Sequence, residues 1–151
     1  MTVVHRSFPV ATHILLRRGD QILLSKRRQT GYFDGSFGLV SGHLEGRETV
    51  FEASCRESRE EIGIELDADS LRMAGVMHRL ADSERVEFFV EASAWTGVVR
   101  NLELSKCQEV SWFPFMTLPD NIVPYIRLAC NLLTAYPTRM WFAEPDVDVD
   151  E

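Results

Sequence analysis

A chain of 151 residues with 45% hydrophobic and 26% charged content is sized for one domain with a proper core, and is too short for two. A formal net charge of −7 argues against a surface built for nucleic acid polymers, yet leaves room for a small anionic substrate if cations reverse the local field. Cys55, Cys107 and Cys130 are widely spaced without a C-x-x-C, and no apolar run reaches membrane-spanning length, so the expectation is a cytoplasmic, soluble protein with reduced thiols.

Two β-like runs, "ATHILLRR" and "QILLSKRR", flank Gly19-Asp20 and predict a hairpin over residues 10–28. "QTGYFDGS" has loop composition, and "FGLVSG" reads as a short apolar strand ending at Gly42. Helical periodicity runs from about Thr49 to Ile62, with Gly63 placed to close the helix. Phe51, Cys55, Ser58 and Ile62 make its packing face, with Ala53 and Ser54 beside the glutamates on a neighbouring arc. "LRMAGVMHRL" and "ERVEFFVEASAW" are β-like, and "EVSWFPFMTLP" reads as a last strand entering a loop. "NIVPYIRLACNLLTAY" is a second amphipathic helix with Pro124 in its first turn. Residues 1–143 are expected to form one domain, and 144–151 a short, frayed acidic tail. The order predicts an α/β fold with a mixed sheet between helices.

The first helix breaks local rules. Glu57 and Glu61 are like charges at i,i+4, and Glu60 and Glu61 crowd the C-terminal end, where the macrodipole disfavours anions. Taken alone, such a cluster is most simply a solvated charged face. Carboxylates at i, i+3 and i+4 can also meet one hard cation, Mg²⁺ or Mn²⁺, which takes oxygen ligands and completes its shell with phosphate oxygens. Around the cluster the order is Gly42, five residues, Glu48, seven residues, Arg56-Glu57, two residues, Glu60-Glu61, one residue, Gly63-Ile64. This resembles the box of the Nudix (MutT-like) hydrolases, G-x5-E-x7-R-E-U-x-E-E-x-G-U, with U a bulky aliphatic residue. All seven fixed positions match, a coincidence on the order of 10⁻⁸–10⁻⁹ per starting position at ordinary residue frequencies.

The resemblance implies a Nudix-type α/β/α sandwich that hydrolyses a nucleoside diphosphate linked to another group. By motif position, Glu57, Glu60 and Glu61 are the expected metal ligands, with Gly42 offering a backbone carbonyl. Arg56 is expected to orient carboxylates through Glu48 or Glu60. Three departures stand out. Ser58 occupies the aliphatic position, Val40 and Ser41 replace the Pro and Gly of the usual W-x-L-P-G-G approach, and Gly46 comes one place early in "EGRE".

Outside the box, Arg27 and Arg28 end the second run, where the family contacts phosphates; alternation lets one of them face the site, and Arg27 is favoured. Glu103 and Glu109 are alternatives for a further glutamate acting as ligand or general base, with "NLELSKC" pointing to Glu103. Phe33, Phe37, Trp112 and Phe115 are either core or a base-stacking wall, with Phe37 taken for substrate contact. Asp120 and Asn121 read a base edge or cap the last helix. Among the histidines, His43 alone lies in the box loop. The resulting expectation is a metal-dependent pyrophosphohydrolase acting on a small nucleotide, foremost a nucleoside triphosphate. An ADP-ribose or nucleotide-sugar hydrolase is the enzymatic alternative, and a non-catalytic nucleotide-binding module the other. Oligomeric state is left open, a homodimer included.

Overall fold

The computed structural model describes residues 1–80 and 83–145. The chain orders as β1 (Val10–Arg18), β2 (Gln21–Arg27), β3 (Phe37–Gly38), β4 (Val40–His43), α1 (Val50–Ile62), β5 (Glu65–Leu66), β6 (Arg72–Leu80), β7 (Glu84–Ala92), β8 (Trp95–Thr96), β9 (Cys107–Pro114), α2 (Pro124–Ala135) and β10 (Trp141–Ala143). The acidic tail expected over 144–151 lies, from residue 146 on, outside the described residues. No helix among them is long and apolar enough to cross a membrane.

Strand β1 organises the sheet. Its run Thr12–Leu16 is buried throughout, as a strand covered on both faces should be. It runs parallel to β7 along Val10–Leu16, antiparallel to β4 along Ala11–Ile14, and antiparallel to β2 only at Arg17–Arg18. The β1–β2 hairpin turns at Gly19, whose φ of 60° is open to glycine at no steric cost. Beyond β7 lie β6 and then β10, parallel to β6; β2 carries β3 and β9, both antiparallel. The sheet is therefore mixed, and it splits beyond the hairpin into a β4–β1–β7 branch and a β3–β2–β9 branch.

Alternation along the strands feeds two cores. Ile14, Leu16, Leu23 and Val40 pack with Cys55 and Ile62 of α1, while Leu15, Ile22, Leu24 and Phe89 pack with Ile126, Ala129 and Leu133 of α2. Each fully buried leucine or isoleucine contributes about 1.5–3 kcal/mol. The sheet thus lies between two helices, as the sequence pattern implied.

Three readings need correction. "FGLVSG" is two strands rather than one: Phe37–Gly38 pairs with β2, and Val40–His43 pairs with β1, extending one residue past Gly42. The strand over 107–114 is not the last, since β10 follows α2. The packing face of α1 is rotated toward its small residues. Ala53, Ser54, Cys55, Glu57, Ser58 and Ile62 are buried, whereas Phe51 is only partly so. Small side chains bring the helix close to the sheet, and the Thr12 and Ser54 hydroxyls hydrogen-bond across that contact at 2.8 Å.

Candidate active site

The carboxylates are aimed by the way α1 begins and ends. Thr49 Oγ1 accepts from Glu52 N–H at 3.1 Å and Glu52 accepts from Thr49 N–H at 2.7 Å, a capping box. At the other end Gly63 adopts φ 71° and donates to Arg59 O, closing the helix just past Glu61. The approach loop is pinned as well, because Glu45 N–H donates to Glu48 at 2.8 Å. Gly46 has φ 85° and Arg47 φ 57°, so the early glycine leaves an arginine in a left-handed conformation costing roughly 1–2 kcal/mol.

Glu57, Glu60, Glu61 and Glu103 all border one cavity of about 520 Å³, which opens where the sheet splits beneath α1. Gly42, the adjoining Ser41 and His43, and Arg27, Arg56, Lys106 and Cys107 also line it. Carboxylates and cationic side chains thus share one space. Arg56 organises the carboxylates of the helix. Its Nε and Nη2 donate to the two Glu48 oxygens at 3.1 and 2.8 Å, and Nη2 also reaches the His43 carbonyl at 3.2 Å. Its Nη1 donates to Glu57 at 2.8 Å and Glu60 at 3.3 Å. The expected Glu48 and Glu60 contacts are both present, and Glu57 joins them.

The electrostatics are set by burial and crowding. Glu61 accepts from Ser41 N–H at 3.2 Å, yet burial, reinforced by Glu103 and Glu57, pushes its carboxyl up to about 9. Burial likewise raises Glu57 above the usual carboxylate range despite its bond to Arg56. Glu48 is held below that range by its hydrogen bonds from Arg56 and from Glu45 N–H.

Among the described residues no three His, Cys, Asp or Glu side chains are gathered as a ready-made metal cage, because Glu57 and Glu60 are turned onto Arg56. The donor chemistry nevertheless fits a hard divalent cation. Five carboxylates, Glu45 included, and a backbone segment border one space without thiolate or imidazole competition from the box helix, and Glu61 is ionised at neutral pH only if something offsets its burial.

Other expected residues fall as follows. Arg27 lines the cavity and Arg28 is exposed, as alternation required. Glu103 lines it at the start of the turn into β9, while Glu109 is exposed on β9 away from it. Phe37, Asp120 and Asn121 are not part of the lining. Phe37 is buried edge-on against Phe113, and Asn121 donates its carboxamide to the Gly35 carbonyl at 2.9 Å, bracing the neighbouring loop. Neither Asp120 nor Asn121 caps α2, whose N-cap is Val123. Phe33, Trp112 and Phe115 also lie off the cavity, Trp112 stacking on Trp95. Lys106 was missed by the sequence reading; it stands three residues after Glu103 in "NLELSKC", a spacing that one turn places on the same rim.

The NUDIX domain family model matches residues 7–128 of the chain. A curated relative, the NAD-capped RNA hydrolase NudC of Vibrio atlanticus (strain LGP32), is 28% identical over 130 residues, which is 85% of this chain and 45% of NudC, so the chain spans about half the length of that relative. Among solved structures, the MutT NUDIX hydrolase from Burkholderia pseudomallei superposes with a TM-score of 0.78 at 27% identity, covering 85% of this chain and 99% of that one. The MutT protein from Methanosarcina mazei Go1 gives a TM-score of 0.75 at 17% identity over 91% of this chain and all of its own, a likeness of fold. With the family match running from ahead of β1 into α2, the chain belongs to the Nudix hydrolase family.

Proposed function

We propose that the chain is a divalent-metal-dependent pyrophosphohydrolase that cleaves a nucleoside diphosphate linked to another group. The observation that carries this is a single cavity lined both by Glu57, Glu60, Glu61 and Glu103 and by Arg27 and Lys106. Such a space suits a polyphosphate, with cations against the carboxylates and direct charge contacts to the basic side chains.

Glu57, Glu60 and Glu61, with the Gly42 carbonyl, are the proposed holders of Mg²⁺ or Mn²⁺. When bound, the cation supplies charge neutralisation on the phosphates and activation of the attacking water. Arg56 keeps Glu48 and Glu57 in place, and Arg27 and Lys106 hold phosphate oxygens. Glu103, beside Glu61, is the proposed general base, close enough for its charge to raise the Glu61 carboxyl. Asn121, expected to contact substrate, instead braces the loop that follows Arg27 through the Gly35 carbonyl.

A nucleoside triphosphate, normal or oxidised, converted to monophosphate and pyrophosphate is the favoured substrate, and a cavity of about 520 Å³ is of the size that takes such a ligand. The likeness to NudC favours a second reading, in which the diphosphate lies within a larger dinucleotide-type group. A hydrolysis panel separates them: nucleoside triphosphates, 8-oxo-dGTP, ADP-ribose, nucleotide sugars and NAD with Mg²⁺ or Mn²⁺, products resolved by chromatography. Pyrophosphate release from triphosphates supports the first reading; cleavage confined to ADP-ribose, sugars or NAD replaces it with the second. Tight binding without turnover of any member would leave a nucleotide-binding module instead.

A further inference from the structure

On the α2 side of the sheet, away from the carboxylates, Arg79 is fully buried and Glu87 is 2% exposed. Arg79 Nη1 bonds both Glu87 oxygens at 3.2 and 3.1 Å, its guanidinium lies 3.6 Å over the Tyr125 ring, and His13 Nε2 approaches Glu87 at 3.3 Å. A buried ion pair is a poor source of stability, because well-packed apolar residues serve as well or better; its better-attested use is to fix one arrangement among several. The arrangement fixed here includes a loop. Arg79 Nη2 donates to the Tyr32 hydroxyl at 2.9 Å.

The other end of Tyr32 meets Arg27, which lines the cavity. Its carbonyl accepts from Arg27 Nε at 2.6 Å, and its ring lies 5.5 Å from the Arg27 guanidinium. Thr30 Oγ1 takes Arg27 Nη2 at 3.2 Å, so Nη1 makes no hydrogen bond among the described residues. Arginine gains its precision with phosphate from a planar fork held at one angle, and a long side chain at a strand end does not hold that angle unaided. Without the tether, Arg27 must be ordered by the ligand itself, at a cost in affinity.

We propose that Tyr32 is a positioning residue: it transmits the fixed geometry of the buried Arg79–Glu87 pair to the Arg27 guanidinium and so presets that side chain for phosphate. This rests on the reading of Arg27 as a phosphate-binding residue. Tyr32 touches no reacting atom, and its hydroxyl is removable without disturbing its ring or carbonyl.

The test is a double-mutant cycle on binding of pyrophosphate, the group shared by all candidate substrates, measured by calorimetry with Mg²⁺ present. Tyr32→Phe is expected to weaken binding about three- to tenfold, Arg27→Ala at least tenfold, and the double variant no more than Arg27→Ala alone. The Arg27 Nε–H resonance, observed by NMR without ligand, is expected to shift or broaden in Tyr32→Phe, which a purely structural role far from Arg27 would not produce. Thr30→Val, which removes the second anchor, gives an independent reading should Tyr32→Phe melt early. A normal loss in Arg27→Ala with a silent Tyr32→Phe and an unmoved resonance overturns the tether alone. Additive losses in the double variant overturn it too. Unchanged binding in Arg27→Ala, or none in the wild type, removes the phosphate reading and the tether together.

Discussion

Gly42 and Glu57 share one space: a methyl group on Gly42 would overlap the Glu57 carboxylate. The first position of the box is therefore a glycine because the Glu57 carboxylate, on the next element α1, occupies the volume a side chain would need. Backbone and ligand are fitted to each other, and the fit gives the first prediction. Gly42→Ala must push Glu57 aside, so metal-supported turnover is expected to fall about 10²-fold with a stability loss of about 1–3 kcal/mol. Steady-state kinetics alongside urea denaturation checks both, and undiminished turnover would separate Glu57 from the chemistry.

Glu61 gives a pH prediction for the metal-free protein. Its folded carboxyl titrates at about 9 against 4.5 for the free side chain, so the folded state keeps a proton that the unfolded state releases between those values. Stability of the metal-free fold therefore declines as pH rises through that window. Glu61→Gln has no such proton, so its melting temperature in EDTA should decline less and exceed the wild type's at about pH 8. Glu57, shifted the same way, keeps part of the slope. Thermal melts across the window decide it; parallel curves for the two proteins would mean that Glu61 ionises without penalty.

Arg56 joins the loop to the helix through a two-pronged bond to Glu48 and a third to Glu57. Lysine keeps the charge but has no fork. Arg56→Lys is expected to lose about 1–3 kcal/mol of stability and to lower kcat at least about tenfold as Glu57 drifts. Retained stability and rate would show that charge alone suffices there.

Ser58, in place of an aliphatic residue, is fully buried, and its hydroxyl has no hydrogen-bond partner among the described residues. The departure from the box pattern thus leaves an unsatisfied polar atom rather than a loose contact. Ser58→Ala should stabilise the protein by about 1 kcal/mol without altering turnover. A lower denaturation midpoint would mean that the hydroxyl has a partner, such as water.

The hairpin, both helices and the glutamate cluster of α1 were legible because each is a local pattern: a period, a cap or a spacing. What escaped is set by contacts distant in sequence. Strand β10 is three residues long, too short for any period, and is placed by Trp141 lying against Gly75, where a side chain would collide with the indole. "FGLVSG" divides because β1 and β2 separate and each claims half of it. The rotated face of α1 follows from the close approach that Ala53, Ser54 and Ser58 permit, which a helical wheel ranked by hydrophobicity undervalues. The buried Arg79–Glu87 pair has no local signal in the sequence, since alternation puts a residue on a face without saying whether a helix covers it. Lys106 lay in a quoted motif, but only the turn after Glu103 brings it to the rim.

The most direct test of the account compares wild type and Glu61→Gln on the substrate panel, with Mg²⁺ or Mn²⁺ and with EDTA, in matched assays. The account predicts metal-dependent cleavage by the wild type, abolished by EDTA, and a loss of about 10²-fold or more in Glu61→Gln with its fold intact. Turnover that survives EDTA, or a Glu61→Gln variant as fast as the wild type, would contradict the assignment of the glutamate cluster to metal-dependent pyrophosphate hydrolysis.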